Sequence, residues 1–169
     1  MYKRQLFLEP LIYPLDPGMS PKSIEFARQR RRLVVETARR LSALDPDILK
    51  LQFPLDADHD PDPAMWGEAC AELNEAADCP WALLSGGDPF DTFKAQLQVA
   101  CQAGCSGFMV GRALWGDAIT GHAKQRVEML RTKVQPRFME LVDIAASLGQ
   151  GWSAQYAPPS IDETWFRHY

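Results

Sequence analysis

The sequence predicts an α/β fold built from parallel βα repeats, and three observations carry that prediction. Short apolar runs of strand length alternate four times with longer stretches of helical period. Only short connections separate them. The strand segments end in small or polar residues: Pro54 after the second, Ser85-Gly86-Gly87 after the third and Gly111-Arg112 after the fourth. Ligands in parallel α/β proteins bind at such carboxyl ends, in closed barrels and open sheets alike, so periodicity leaves both architectures open.

The first strand is expected over residues 6–13. After the turn Pro14-Leu15-Asp16-Pro17-Gly18 a long helix should start near Ser20, which can cap with Pro21 at the first helical position. Ile24, Ala27, Val34, Ala38 and Leu41 form its apolar stripe, and Arg31 falls on the same stripe, where its stem can snorkel. The second unit pairs a strand at 48–53 with a helix at about 65–77, across the acidic loop 56–62. A third strand at 81–85 leads to a helix at 90–103 with Phe93, Leu97, Ala100 and Cys101 inward. The fourth strand, 107–110, precedes a short helical turn at 113–119. A last amphipathic helix, 122–147, carries Val127, Leu130, Val134, Phe138, Leu141 and Ile144, with Pro136 expected to kink it. Beyond Gly149 the chain is aromatic and proline-rich and reads as a loosely ordered tail, 149–169.

At 46 % apolar and 24 % charged residues, the composition is that of one soluble globular domain. No apolar run approaches the roughly 20 residues of a membrane-spanning helix, and no signal-peptide pattern opens the sequence, so a cytoplasmic location is expected. Cys70, Cys79, Cys101 and Cys105 form no Cys-x-x-Cys pair and read as reduced, packed thiols. A net charge of −4 supplies no general field for nucleic acid. The local cluster of Arg28, Arg30, Arg31, Arg32, Arg39 and Arg40 is ascribed mainly to helix-surface solvation, with an anion or partner site as the alternative.

Lys50 is the residue that demands an explanation. Strand alternation turns Lys50 and Gln52 to one face and Leu49, Leu51 and Phe53 to the other. An unpaired buried ammonium costs several kcal/mol, so this lysine is ion-paired, escapes to water at an edge, or is held neutral as a nucleophile able to form a Schiff base. Glu9, inside the first strand, shares a cavity with Lys50 if the two strands are neighbours, either as a plain salt bridge or as a proton shuttle. Ser85, Gly86 and Gly87 offer bare backbone amides, and Gly111 and Arg112 add more amides and a guanidinium. These are ordinary turns or, taken together, a phosphate cradle.

Two other motifs fail. The series Asp56, Asp58, Asp60 and Asp62 has Pro61 where a calcium loop needs glycine and Gly67 where it needs glutamate. His59, His122 and His168 fall in a loop, a helix start and the tail rather than at strand ends, which disfavours a zinc enzyme. No metal and no cofactor are expected.

Across residues 6–148 the sequence resembles the class I aldolases typified by tagatose 1,6-bisphosphate aldolase, with sulfofructose phosphate aldolase as a relative. The resemblance rests on Leu8-Glu9-Pro10-Leu11-Ile12-Tyr13, Asp47-Ile48-Leu49-Lys50 with Pro54, Leu84-Ser85-Gly86-Gly87, and Ala103-Gly104 leading to Gly111-Arg112-Ala113 and Trp115. It implies Lys50 as Schiff-base lysine, Glu9 as acid/base, and Ser85, Gly86, Gly87, Gly111 and Arg112 as phosphate binders. It also implies a phosphorylated ketose as substrate, an oligomer of like chains at full length, and neither a nucleic-acid nor a membrane partner. The family usually has a glutamate at Gln52, a small apolar residue at Gly86 and a threonine at Leu114, departures that leave the identity of the ketose open. A 5-keto-2-deoxygluconate phosphate or a sulfonated ketose is the alternative, and a non-catalytic sugar-phosphate binding module is a third reading. The family fold is a (βα)8 barrel of about 250 residues, of which the matched motifs are strands five to eight. The chain is therefore expected to be the C-terminal half of a TIM barrel, an assembly fragment that alone would dimerise or aggregate and show little activity. Residues 1–5 fit neither strand nor family and resemble a non-native leader.

Overall fold

The computed structural model describes residues 6–155 and Thr164. Four strands, β1 (Phe7–Leu8), β2 (Ile48–Leu51), β3 (Trp81–Leu84) and β4 (Gly107–Met109), form one all-parallel sheet in the order β1-β2-β3-β4. The register pairs Leu8 with Leu49, Lys50 with Ala82, and Leu84 with Met109. Helices α1 (Ile24–Ser42), α2 (Pro63–Ala76) and α3 (Phe90–Gln102) alternate with the strands. A short α4 (Arg112–Trp115), then α5 (Ala123–Met129) and α6 (Gln135–Leu148), follow β4. The fold class is thus α/β with a parallel sheet. Among the described residues no helix is long and apolar enough to cross a membrane. The proposed leader, 1–5, and most of the proposed tail lie outside the described residues; within the tail, Trp152–Ala154 forms a 3-10 turn.

Local chemistry moves several boundaries. The first strand is much shorter than 6–13, because Pro10 has no N–H to donate to the ladder. Beyond Leu8 the chain is held instead by a side chain, with Ile12 N donating to Gln52 Oε1 at 2.7 Å. The cap of α1 is Ser23 rather than Ser20: Ser23 Oγ accepts from Phe26 N at 3.2 Å, whereas Ser20 closes a turn just upstream. That shift buries Phe26 and leaves Ile24 exposed. Asp62 caps α2 with Pro63 at its start, two residues before the expected onset. The final helix is divided by a π-helical turn, Leu130–Val134, immediately before Pro136. Proline leaves one carbonyl of the preceding turn without its donor, and a widened turn accommodates the loss.

The core lies between the sheet and its helices. Leu49, Leu51, Phe53, Leu83, Phe93 and Leu97 are all within 2 % of complete burial, and each contributes about 1.5–3 kcal/mol by leaving water. Trp81 is held among them, its Nε1 donating to Asn74 Oδ1 at 3.0 Å. Helices α1, α2, α3 and α6 pack side by side in chain order. Of the expected inward side chains of the last helix, Leu141 alone is fully buried; Val127, Leu130 and Phe138 stand exposed. The π turn and Pro136 interrupt the single stripe that a continuous helix would have presented to the sheet. Arg31 does not merely snorkel, since its Nε meets Glu72 Oε2 at 2.6 Å.

Candidate functional site

Alternation along β2 sends Leu49 and Leu51 into the helical layer and leaves Lys50 on the opposite face. That face, at the carboxyl ends of the strands, forms an open cavity of about 740 Å³. All seven residues singled out in the sequence line it: Glu9, Lys50, Ser85, Gly86, Gly87, Gly111 and Arg112. They converge because the strands are parallel and consecutive, so each strand end opens onto the same rim.

Lys50 Nζ lies 2.8 Å from Glu9 Oε1, and their side chains are 23 % and 43 % exposed. The pair is therefore neither fully dry nor lost to bulk water. The carboxylate is within range of a direct proton transfer with the amine. Its placement depends on Gln52, on the same face of the chain as Lys50, whose hydrogen bond to Ile12 N fixes the segment that follows Glu9. Gln52 carried no role in the sequence beyond its departure from the family pattern.

On the other side of the cavity, Ser85 is buried and its carbonyl accepts from Asp88 N at 3.0 Å, closing a turn over Gly86 and Gly87. These glycines adopt φ of +58° and +96°, a region that side-chain-bearing residues rarely enter. Gly111 N reaches Ser85 Oγ at 3.5 Å. The Arg112 guanidinium lies over Gly87, so close that an added Cβ would meet its Nη2 at 3.5 Å. Bare amides and an arginine fork thus stand together.

Supports below the rim were not legible as such. Arg30, expected to be solvated, turns inward and donates from Nε to Phe53 O at 2.9 Å, capping the end of the β2 segment. Burial holds its guanidinium below the usual value, with Asp56 and Asp88 opposing. Burial likewise raises the Asp88 carboxyl, against the Gln96 hydrogen bond at 3.0 Å and the charge of Arg30. Behind α4, Asp117 is clamped by Lys133 at 2.6 Å and Arg137 at 3.0 Å. The Lys133 bond, then Arg137, lowers its pKa. Arg137 also stacks over the Phe90 ring, 4.6 Å from its centroid, tying α6 to α3. Leu11, Tyr13, Met109 and Trp115 complete an apolar rim.

Among the described residues, no group of three or more His, Cys, Asp or Glu side chains is arranged to hold a metal ion. The acidic loop satisfies itself, with Asp58 N donating to Asp56 Oδ1 at 3.0 Å and His59 Nε2 at 3.1 Å from Lys22 O. Cys70, Cys79, Cys101 and Cys105 are free thiols, and burial pushes Cys70 up to about 12. No protein-family model matches the chain.

Proposed function

We propose that this chain is half of a (βα)8 barrel, its strands in the places of strands five to eight, and carries the Schiff-base chemistry of a cytoplasmic class I aldolase acting on a phosphorylated ketose. One observation carries the reading: Lys50 Nζ stands 2.8 Å from the Glu9 carboxylate in the same cavity as the Gly86-Gly87 turn and Arg112. A ketose phosphate needs both halves of that arrangement.

The phosphate is held by the Gly86 and Gly87 amides and the Arg112 fork, with the ketone towards Lys50. The neutral amine adds to the carbonyl carbon, and Glu9 passes a proton to the carbinolamine oxygen so that water leaves and a protonated imine remains. Removal of the proton from the hydroxyl at the next-but-one carbon breaks the intervening carbon–carbon bond. Its electron pair moves into the imine, giving an enamine and a free aldehyde. Protonation of the enamine and hydrolysis of the imine release the second product and restore the amine. With tagatose 1,6-bisphosphate, both products have three carbons. Gln52, Gly86 and Leu114, where the sequence departs from the family pattern, favour trial of a 5-keto-2-deoxygluconate phosphate and a sulfofructose phosphate alongside it.

Borohydride added with each ketose phosphate should fix a stable adduct to Lys50, located by peptide mapping, and Lys50→Met should abolish it. An adduct on another lysine refutes the assignment. The 23 % exposure of Lys50 favours one second reading, a non-catalytic sugar-phosphate module in which Lys50 only holds an anion. That reading requires phosphate-dependent thermal stabilisation that survives Lys50→Arg with no adduct on any lysine.

A further inference from the structure

We infer that the groove between α1 and α2 is a second anion site, which takes a compact phosphate-bearing anion of two or more charges, such as a phosphate ester or a diphosphate. The inference is independent of the imine chemistry and of the phosphate cradle, because the groove shares no lining residue with the cavity that holds Lys50.

The groove has a volume of about 310 Å³ and is walled by Arg28, Arg31, Arg32 and Arg39, with Glu36 and Glu72, over the buried side chain of Val35. Helical spacing assembles this wall. Arg28, Arg31 and Arg32 lie within little more than one turn of α1, and Arg39 follows two turns on, so the four guanidinium groups border the same groove. Four cations against two carboxylates leave it two positive charges in excess, in a chain whose net charge is −4.

Both carboxylates are already engaged. Glu36 gives one oxygen to Arg39 at 2.8 Å and the other to Arg40 at 2.7 Å, and Glu72 Oε2 accepts from Arg31 at 2.6 Å. Arg31 and Arg39 are thereby held in place through one nitrogen each, with their other N–H groups left for a ligand. Arg28 and Arg32 are exposed and have no hydrogen bond or ion pair among the described residues. Solvation alone leaves this arrangement unexplained, since like charges four residues apart on a helix destabilise it and a solvated face is served by alternating signs. A bound anion removes the repulsion.

Size and charge select a small ligand. Planar guanidinium forks match phosphate oxygens two at a time, and the volume lies at the lower end of small-molecule pockets. A long polyanion would leave the positive stretch quickly. Glu25 stands one turn before Arg28, and Glu68 and Glu75 stand one turn either side of Glu72, all three exposed.

Isothermal titration calorimetry of the whole chain with inorganic pyrophosphate tests the site. Wild type and Arg112→Gln, which alters only the cradle, should both bind at the groove. Arg28→Gln combined with Arg32→Gln should weaken that binding at least tenfold, because two charge-assisted contacts are lost. Neither side chain has a partner to lose, so the fold should persist, which circular dichroism checks. Arg28→Lys combined with Arg32→Lys keeps the charge and removes the forks, and it should weaken binding several-fold, which preserves the test should the glutamine pair unfold. Absence of binding at millimolar pyrophosphate, binding that either folded pair leaves unchanged, or binding abolished by Arg112→Gln alone would each overturn the inference. So would a single-stranded oligonucleotide that binds more tightly than pyrophosphate and is lost with the same pairs. A groove that binds in a chain forming no borohydride adduct would sink the aldol reading and leave this one standing.

Discussion

Gly87 shows at the scale of one residue how the cavity is made. Its φ of +96° folds the backbone so that the amides after β3 face the rim, and Arg112 lies where a side chain would otherwise extend. Gly87→Ala should destabilise the chain by about 1–2 kcal/mol through left-handed strain and, under the phosphate-site reading, weaken stabilisation by phosphate, both read from urea and thermal melts. Gly67 is the counterpart: inside α2, with open space around its Cβ position, Gly67→Ala should stabilise by about 0.5–1 kcal/mol in the same melts. For Glu9, Glu9→Gln keeps the shape and removes the base. Under the aldol reading it should slow turnover by roughly 10²–10⁴ while Lys50 is still trapped by borohydride, which a coupled assay of aldehyde release would check.

Elements depend on tertiary neighbours that local pattern does not reveal. Gly104, in the turn after α3, has φ +110°, and a Cβ there would come within 2.5 Å of Asn74 Oδ1, the acceptor for Trp81 Nε1. Gly104→Ala should therefore cost about 2–4 kcal/mol in chemical unfolding, by combining backbone strain with loss of a partly buried hydrogen bond. Asp117 joins α4 to the π turn and α6. Its pKa is lowered in the folded chain, so its contribution is fully present above the unfolded carboxylate value and is lost as pH falls through the folded one. Because the carboxylate is nearly half exposed, solvent screening keeps that contribution below about 1 kcal/mol. Asp117→Asn should remove this part of the acid sensitivity, visible as a flatter plot of unfolding free energy against acid pH. The sequence displayed the helix at 90–103 almost to the residue, because Phe93, Leu97, Ala100 and Cys101 repeat at helical spacing and all reach the core. It misled at β1, where Leu11, Ile12 and Tyr13 look like strand but follow a proline, and at 122–147, where apolar spacing continued through a turn that is not α-helical.

For the whole molecule, the parallel sheet and the gathering of its strand ends on one rim were legible because they follow from chain direction: strand ends of parallel βα units must face one way, whereas the neighbouring of β1 and β2 that brings Glu9 to Lys50 was left conditional in the sequence. The tie from Gln52 to Ile12, the inward turn of Arg30 and the Asp117 clamp were not legible. Each joins residues sixteen or more positions apart through a geometry that exists only once the chain is packed. Leu97, at the centre of that packing, should cost about 2–5 kcal/mol when replaced by alanine, measured by the same unfolding curves.

The tether of the first strand sets a thermal order of events. Glu9 follows a strand of only two residues, secured by its short pairing with β2, by Leu6 N to Asp47 Oδ2 at 2.6 Å, by Asp47 N and Ile48 N to Leu6 O at 3.1 and 3.3 Å and by the Gln52 bond, whereas Lys50 sits in a ladder flanked on both sides. Segments held by so few contacts open well before the global transition. Warming should thus withdraw the Glu9 carboxylate from Lys50 while the rest of the scaffold remains intact: loss of this ion pair precedes melting, and cooling restores it.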